Sequence, residues 1–114
     1  MRRDDAVRFR HMLDASREAI SFAEGKNRSE LDVDRKLTLA LVKSIEIIGE
    51  AASKISAECR EDHSHIPWAN IISMRNRLIH AYFEIDLDIL WKTVTEDIPS
   101  LLKELEKITS ELHN

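Results

Sequence analysis

Cysteine occurs once in this chain, glycine and proline twice each, and Phe, Trp and Tyr together make up only 5% of it. Each scarcity excludes something. A lone Cys59 can form no internal disulfide, which fits the reducing cytoplasm and makes that the expected location. So little glycine and proline leaves few turn signals, and long helices with short connections follow. No run approaches the ~20 apolar residues that a membrane span needs. The opening "MRRDDAVRFR" has no apolar h-region, so no secretory signal is predicted. The net charge of −4 argues against a generic nucleic-acid coat, which would be basic. Nucleic acid would have to be met by a local basic patch.

What is present suits one soluble globular domain, residues 1–114. Apolar residues make up 43% and charged residues 33%, a folded rather than a disordered composition. A first helix is expected over 4–24, where Phe9, Met12, Leu13, Ser16, Ala19, Ile20 and Ala23 keep helical spacing. Gly25 is a plausible cap after it. A second helix starts near Asp32 or Asp34, either of which can cap it. Leu37, Leu41, Ser44 or Ile45, Ile48, Ala52 and Ile55 form its stripe, while Leu39, Val42 and Ile47 lie on other faces. A helix apolar nearly all round is central or shared between subunits, which predicts a homodimer. Gly49 inside it costs about 1 kcal/mol relative to Ala and marks a close helix approach. "ECREDHSHI" (58–66) reads as a polar loop, and Pro67 suits the first position of a third helix. Trp68, Ile71, Ile72, Leu78 and Ile79 form that helix's apolar side. After a break at 80–86 a fourth helix begins near Asp86 or Leu87, and Pro99 should kink or restart it. Leu101, Leu102, Leu105, Ile108 and Leu112 close the fold, an antiparallel all-α bundle of four to five helices.

The chemistry gathers in "MRNRLIHAY", residues 74–82. On a helix, Asn76 lies about 100° from Arg75 and His80 about 140° from it. Asn76 and His80, four apart, would share a face, and a continued helix would return Tyr82 to within about 20° of Arg75. The helix C-terminus would favour a protonated His80. The set holds no nucleophilic Ser or Cys, no carboxylate pair and no metal cluster. It offers an imidazole, a guanidinium, an amide and a phenol. RNA brings its own nucleophile, the 2′-OH, so imidazole and guanidinium would suffice for metal-free cleavage to a 2′,3′-cyclic phosphate. The same spacing also fits a plain structural role, with Arg75 paired to an acid such as Glu50 and His80 capping a helix end.

"PWANIISMRNRLIHAYFEID" resembles the signature of the HepT-like toxins of the HEPN superfamily, with its Arg-x4-His-x-Tyr motif. "SIEIIGEAASKIS" (44–56) and "LDILWKTVTEDIPSLL" (87–102) extend the resemblance over nearly the whole chain. The resemblance implies a HEPN-like helical bundle that dimerises, with Arg and His of both chains facing one cleft. It implies a metal-independent ribonuclease toxin of a type VII-like toxin–antitoxin pair. It carries Arg75 and His80 over as catalytic, Asn76 as supporting and Tyr82 as the residue to which an MntA-like nucleotidyltransferase antitoxin transfers AMP. The partner would be a separate polypeptide, and no cofactor is implied. The rival reading is a non-catalytic helical subunit that binds a nucleotidyltransferase, and with it a nucleotide.

Other features are less specific. Arg3, Arg10 and Arg17 recur every seven residues on helix 1 and, with Arg2, could guide an RNA backbone, though Asp14 is placed to pair with Arg10 and Arg17 on a solvated face. Cys59, His63 and His65 resemble a zinc fragment that lacks a fourth ligand. Arg77 is expected to be exposed, and Trp68 and Trp91 to be core or interface aromatics.

Overall fold

Asp34 starts the central helix by accepting the backbone N–H of Leu37 at 3.0 Å, satisfying one orphan donor of the first turn. In the computed structural model, which describes residues 1–79 and 84–112, helix α1 spans Arg3–Ala23 and α2 spans Arg35–Ser53. Gly25 follows α1 with φ +74°, a conformation that glycine adopts without a side-chain penalty. A 3₁₀ turn, Arg28–Asp32, fills the connection and takes up Asp32, so Asp34 is the cap of α2.

The polar stretch after α2 is not a plain loop. It holds a short helix, α3, Ala57–Asp62, capped by Ser56, whose hydroxyl accepts the N–H of Cys59 at 3.2 Å. Asp5 fixes this cap from α1: its carboxylate takes the Ser56 N–H at 2.8 Å and the Ser56 hydroxyl at 2.7 Å. Asp5 is buried, so these two bonds offset its desolvation.

Helix α4, Trp68–Leu78, begins one residue later than expected, with Pro67 in the cap position. It ends at Leu78, and Ile79 is extended at φ −109° and ψ 118°. Ile79 forms an antiparallel bridge with Ile85, and Asp86 N–H donates to the Leu78 carbonyl at 2.7 Å. Asp86 then caps α5, Leu87–Lys92, by accepting the Ile89 N–H at 3.0 Å. Pro99 does not break the chain's helical course. A π-helical turn, Thr93–Asp97, precedes α6, Ile98–Glu111, and Pro99 falls at the start of α6. Proline has no N–H and its ring crowds the carbonyl four residues back. The wider turn relieves this, with Ile98 N–H donating to the Thr93 carbonyl.

α1 packs on α2 and α6, and α2 packs on α4. The core runs through Phe9, Met12, Leu41, Ile45, Ile48, Leu78, Leu90 and Leu105, all fully buried. No strand occurs among the described residues, and none of their helices is long and apolar enough to cross a membrane. The architecture is the all-helical one that the sequence spacing predicts, with one more short helix.

Candidate active site

Gly49 decides how close α4 comes to α2. A Cβ at this position would lie 3.3 Å from the Ile71 carbonyl oxygen and 3.5 Å from that of Ile72. The absent side chain lets the two backbones meet, as the sequence suggested. One turn on along α4 and one turn back along α2, Arg75 reaches Glu46: its Nε–H donates to Oε1 at 3.1 Å. The expected partner Glu50 sits one turn too far along α2 and pairs instead with Lys54 at 3.1 Å. The Arg75 side chain is 44% exposed and that of Glu46 32%. Such a pair contributes at most about 1 kcal/mol to stability. Its larger effect is to aim the guanidinium.

Arg75 stands at the edge of a groove of about 380 Å³ between α1, α2 and α4. Arg8 and His11 line it from α1, and Lys43, Glu46, Ile47 and Glu50 from α2. The groove mixes cations with carboxylates and is open to solvent on one side. A guanidinium held by its Nε edge keeps its Nη donors for an incoming anion, the geometry that suits a phosphate.

His80 and Tyr82 lie outside the described residues, so their positions relative to Arg75 are not defined. The helix stops at Leu78, so helical stacking of Asn76 on His80, and the return of Tyr82 to the Arg75 face, do not follow. What the structure does place is the chain on either side. Arg75 and Arg77 occupy the last turn of α4, where the helix dipole favours cations. The Ile79–Ile85 bridge holds the flanks of the segment together. Asn76 is exposed beside Arg75. Arg77 is exposed too, and donates to the Asn70 carbonyl at 3.0 Å on the side facing α6.

The remaining candidates have structural partners. Trp68 donates through Nε1 to the Arg60 and His63 carbonyls at 3.2 and 3.1 Å and packs edge-on against Phe9. Trp91 is half-buried against the core. His63 also packs edge-on against Phe9, and His65 pairs with Glu104 on α6 at 3.1 Å. No group of three or more His, Cys, Asp or Glu is arranged to hold a metal among the described residues. Arg17 pairs with Glu106 of α6 at 3.8 Å, which takes it out of the arginine stripe on α1.

Sequence reasoning did not find Arg8, His11, Lys43 or Glu46. A signal existed: Lys43, Glu46, Ile47 and Glu50 keep the 3-4 spacing of one α2 face, and Arg8 and His11 that of one α1 face. Only the packing of α1 on α2 shows that the two faces meet.

Comparison with known proteins agrees with this architecture. The family model described as ribonuclease HepT-like matches residues 12–108. The chain is 48% identical over 75 residues to a "Probable ribonuclease HepT" of Thermococcus cleftensis, covering 66% of this chain and 68% of that protein. It is 40% identical over 98 residues to a "Putative RNase" of Caldanaerobacter subterraneus subsp. tengcongensis, covering 86% of this chain and 88% of that one. A Methanocaldococcus jannaschii protein named "Gamma-glutamylcyclotransferase and putative RNase" is 37% identical over 112 residues; the match takes in 98% of this chain and half of that longer protein. No solved structure matches. With the family model spanning most of the bundle, from α1 to α6, the chain belongs to the ribonuclease HepT-like family.

Proposed function

We propose that this protein is a metal-independent endoribonuclease, the toxin of a type VII-like toxin–antitoxin pair, acting in the cytoplasm as a homodimer. One observation carries the reading: in a chain of this family, Arg75 is exposed at a groove edge and aimed by Glu46, immediately before the segment that holds His80. In the proposed reaction the RNA 2′-OH attacks the adjacent phosphorus and His80 takes its proton. Arg75 neutralises the charge that builds on the phosphorane oxygens. The P–O5′ bond breaks, the 5′-oxygen takes the proton that His80 received, and the products are a 2′,3′-cyclic phosphate and a 5′-OH end. Asn76 supports the cleft rim.

Control is proposed to act on Tyr82. An MntA-like nucleotidyltransferase would join the α-phosphorus of ATP to the phenol oxygen, with loss of the phenol proton and release of pyrophosphate. The attached phosphate could then pair with Arg75 and occupy the place of the scissile group.

The test is cleavage of a labelled single-stranded RNA in the presence of EDTA. Products should end in cyclic phosphate or 3′-phosphate. Arg75→Ala and His80→Ala should each lower the rate by roughly 10²–10⁴-fold. A requirement for Mg²⁺, 3′-OH products, or full activity of His80→Ala would overturn the reading. A folded protein with no activity on any RNA would favour the non-catalytic partner subunit instead.

A further inference from the structure

The groove beside Arg75 holds more positive charge than one ion pair explains. Among the described residues many surface cations have a carboxylate: Arg2 with Glu58, Lys26 with Glu30, Lys54 with Glu50, and Lys107 with Glu104. Arg8 and Lys43 have no such partner among the described residues, although both line a groove that also contains Glu46 and Glu50. Those two carboxylates are already engaged, by Arg75 and by Lys54. The groove therefore keeps two uncommitted cations, and the ring of His11 adds an N–H donor between the same walls. In a chain with net charge −4, two free cations facing one groove form the local basic patch that an acidic protein needs to hold a polyanion.

Resting on the nuclease reading, we infer that Arg8, His11 and Lys43 form a phosphate-binding track, which holds the phosphodiester backbone of single-stranded RNA next to the bond presented to Arg75. Two features favour RNA backbone over a free anion. From Lys43 to Glu50 the α2 wall runs about 10 Å, at ~1.5 Å per residue. That length exceeds what one phosphate group occupies, so neighbouring phosphates of one strand can be met along it. The wall is also open along its length rather than closed round one group. Glu46 and Glu50 punctuate the track, which disfavours a rigid duplex that would press phosphates against them. This track, not the Arg3/Arg10/Arg17 stripe, is then the route of the strand.

The experiment measures binding apart from cleavage. A His80→Ala background prevents turnover, and a fluorescein-labelled single-stranded oligoribonucleotide is followed by anisotropy across a salt series. Arg8→Ala/Lys43→Ala should weaken binding at least tenfold. It should also lower the slope of log K against log[salt] by about 0.7 for each phosphate left unneutralised. Arg3→Ala/Arg10→Ala, which alters the other face of α1, should bind within about twofold of the parent. Circular dichroism checks that both remain helical, and the single variants serve if the double one does not. If the groove variant binds RNA as its His80→Ala parent does, and the same groove substitutions in a chain with His80 intact leave cleavage unchanged, the track is overturned while the nuclease reading stands. If the stripe variant is the one that loses affinity, the strand runs along the stripe and the track is again overturned. If the parent with His80 intact neither binds nor cleaves RNA, the nuclease reading itself falls and takes the track with it.

Discussion

Glu46 of α2 holds Arg75 of α4 through a single 3.1 Å hydrogen bond to Nε. Both side chains are partly exposed, so the bond does little for the fold and much for the direction of the guanidinium. Glu46→Ala, which removes the acceptor, should change unfolding free energy by less than about 1 kcal/mol. Ribonuclease activity should fall about 10- to 100-fold, since misplacement of a catalytic group by ~1 Å costs about that much. Urea titration and a cleavage assay on the same sample separate the two effects. A large loss of stability with unchanged activity would make the pair structural.

Gly49 meets the α4 backbone at Ile71. Gly49→Ala gains about 1 kcal/mol of helix propensity but crowds the Ile71 carbonyl, so the two terms should nearly cancel. Gly49→Val has no such offset and should cost about 1–3 kcal/mol by overpacking. Because α4 carries Arg75, the Val variant should also lose activity at temperatures where it is still folded. Thermal melts paired with cleavage rates decide this.

The Ser16 hydroxyl is fully buried in the core face of α1 with no hydrogen-bond partner among the described residues. Leaving such a group unsatisfied costs about 1–3 kcal/mol. Ser16→Ala should therefore stabilise the protein, by about 1 kcal/mol after the lost packing of one oxygen. A lower urea midpoint for the variant would show that the hydroxyl has a partner in solution.

Burial raises the thiol pKa of Cys59, and the nearby carboxylates of Asp5 and Asp62 raise it further. The folded chain thus holds this proton more tightly than the unfolded chain. The associated stability is fully present below the ordinary thiol value of 9.0 and is lost as pH rises through the folded one. Alkylation by iodoacetamide at pH 8 should be more than about tenfold slower in the native protein than in urea. Equal rates would mean that the α3 region opens freely.

Leu39 and Ile47 of α2 are 46% and 38% exposed, on the side away from the core. Ile47 also lines the groove beside Lys43, so a homodimer across this face would set the grooves of the two chains side by side at one cleft, and Leu39→Glu/Ile47→Glu should yield monomers by light scattering at micromolar concentration. Neither residue contributes to the core, so each change should alter monomer stability by about 0.5 kcal/mol or less. A parent protein that is already monomeric would remove the argument for a two-chain cleft.

Local signals were legible in the sequence, and long-range ones were not. Asp34, Asp86 and Gly25 mark helix ends because capping depends on neighbours a few residues away. α3 leaves little trace in the sequence because its run is almost wholly polar; Cys59 is its one buried residue, and Ser56 its only cap signal. Asp5 looks like a surface charge until α1 is laid beside Ser56. Arg75 was identifiable, but its choice of Glu46 over Glu50 is fixed by the register of α4 on α2, which no single helix encodes. The helix end at Leu78 is set by the Ile79–Ile85 pairing, a contact between residues on opposite sides of the motif's second half.

That pairing also bears on how the motif can vary over evolution. Ile79 and Ile85 bridge one another, and the Asp86 N–H donates to the Leu78 carbonyl, so the segment between them is a closed connection. Doubling such a connection costs only about 0.6 kcal/mol in closure entropy. Arg75 to Ile79 are held by α4 and the bridge, so the fold fixes the approach to the segment, while the number of residues from the histidine to Ile85 is left to the chemistry. On the proposed nuclease reading, insertions between Ile79 and Ile85 should preserve the fold and abolish cleavage, which makes the length of this one segment a readable mark of activity among relatives.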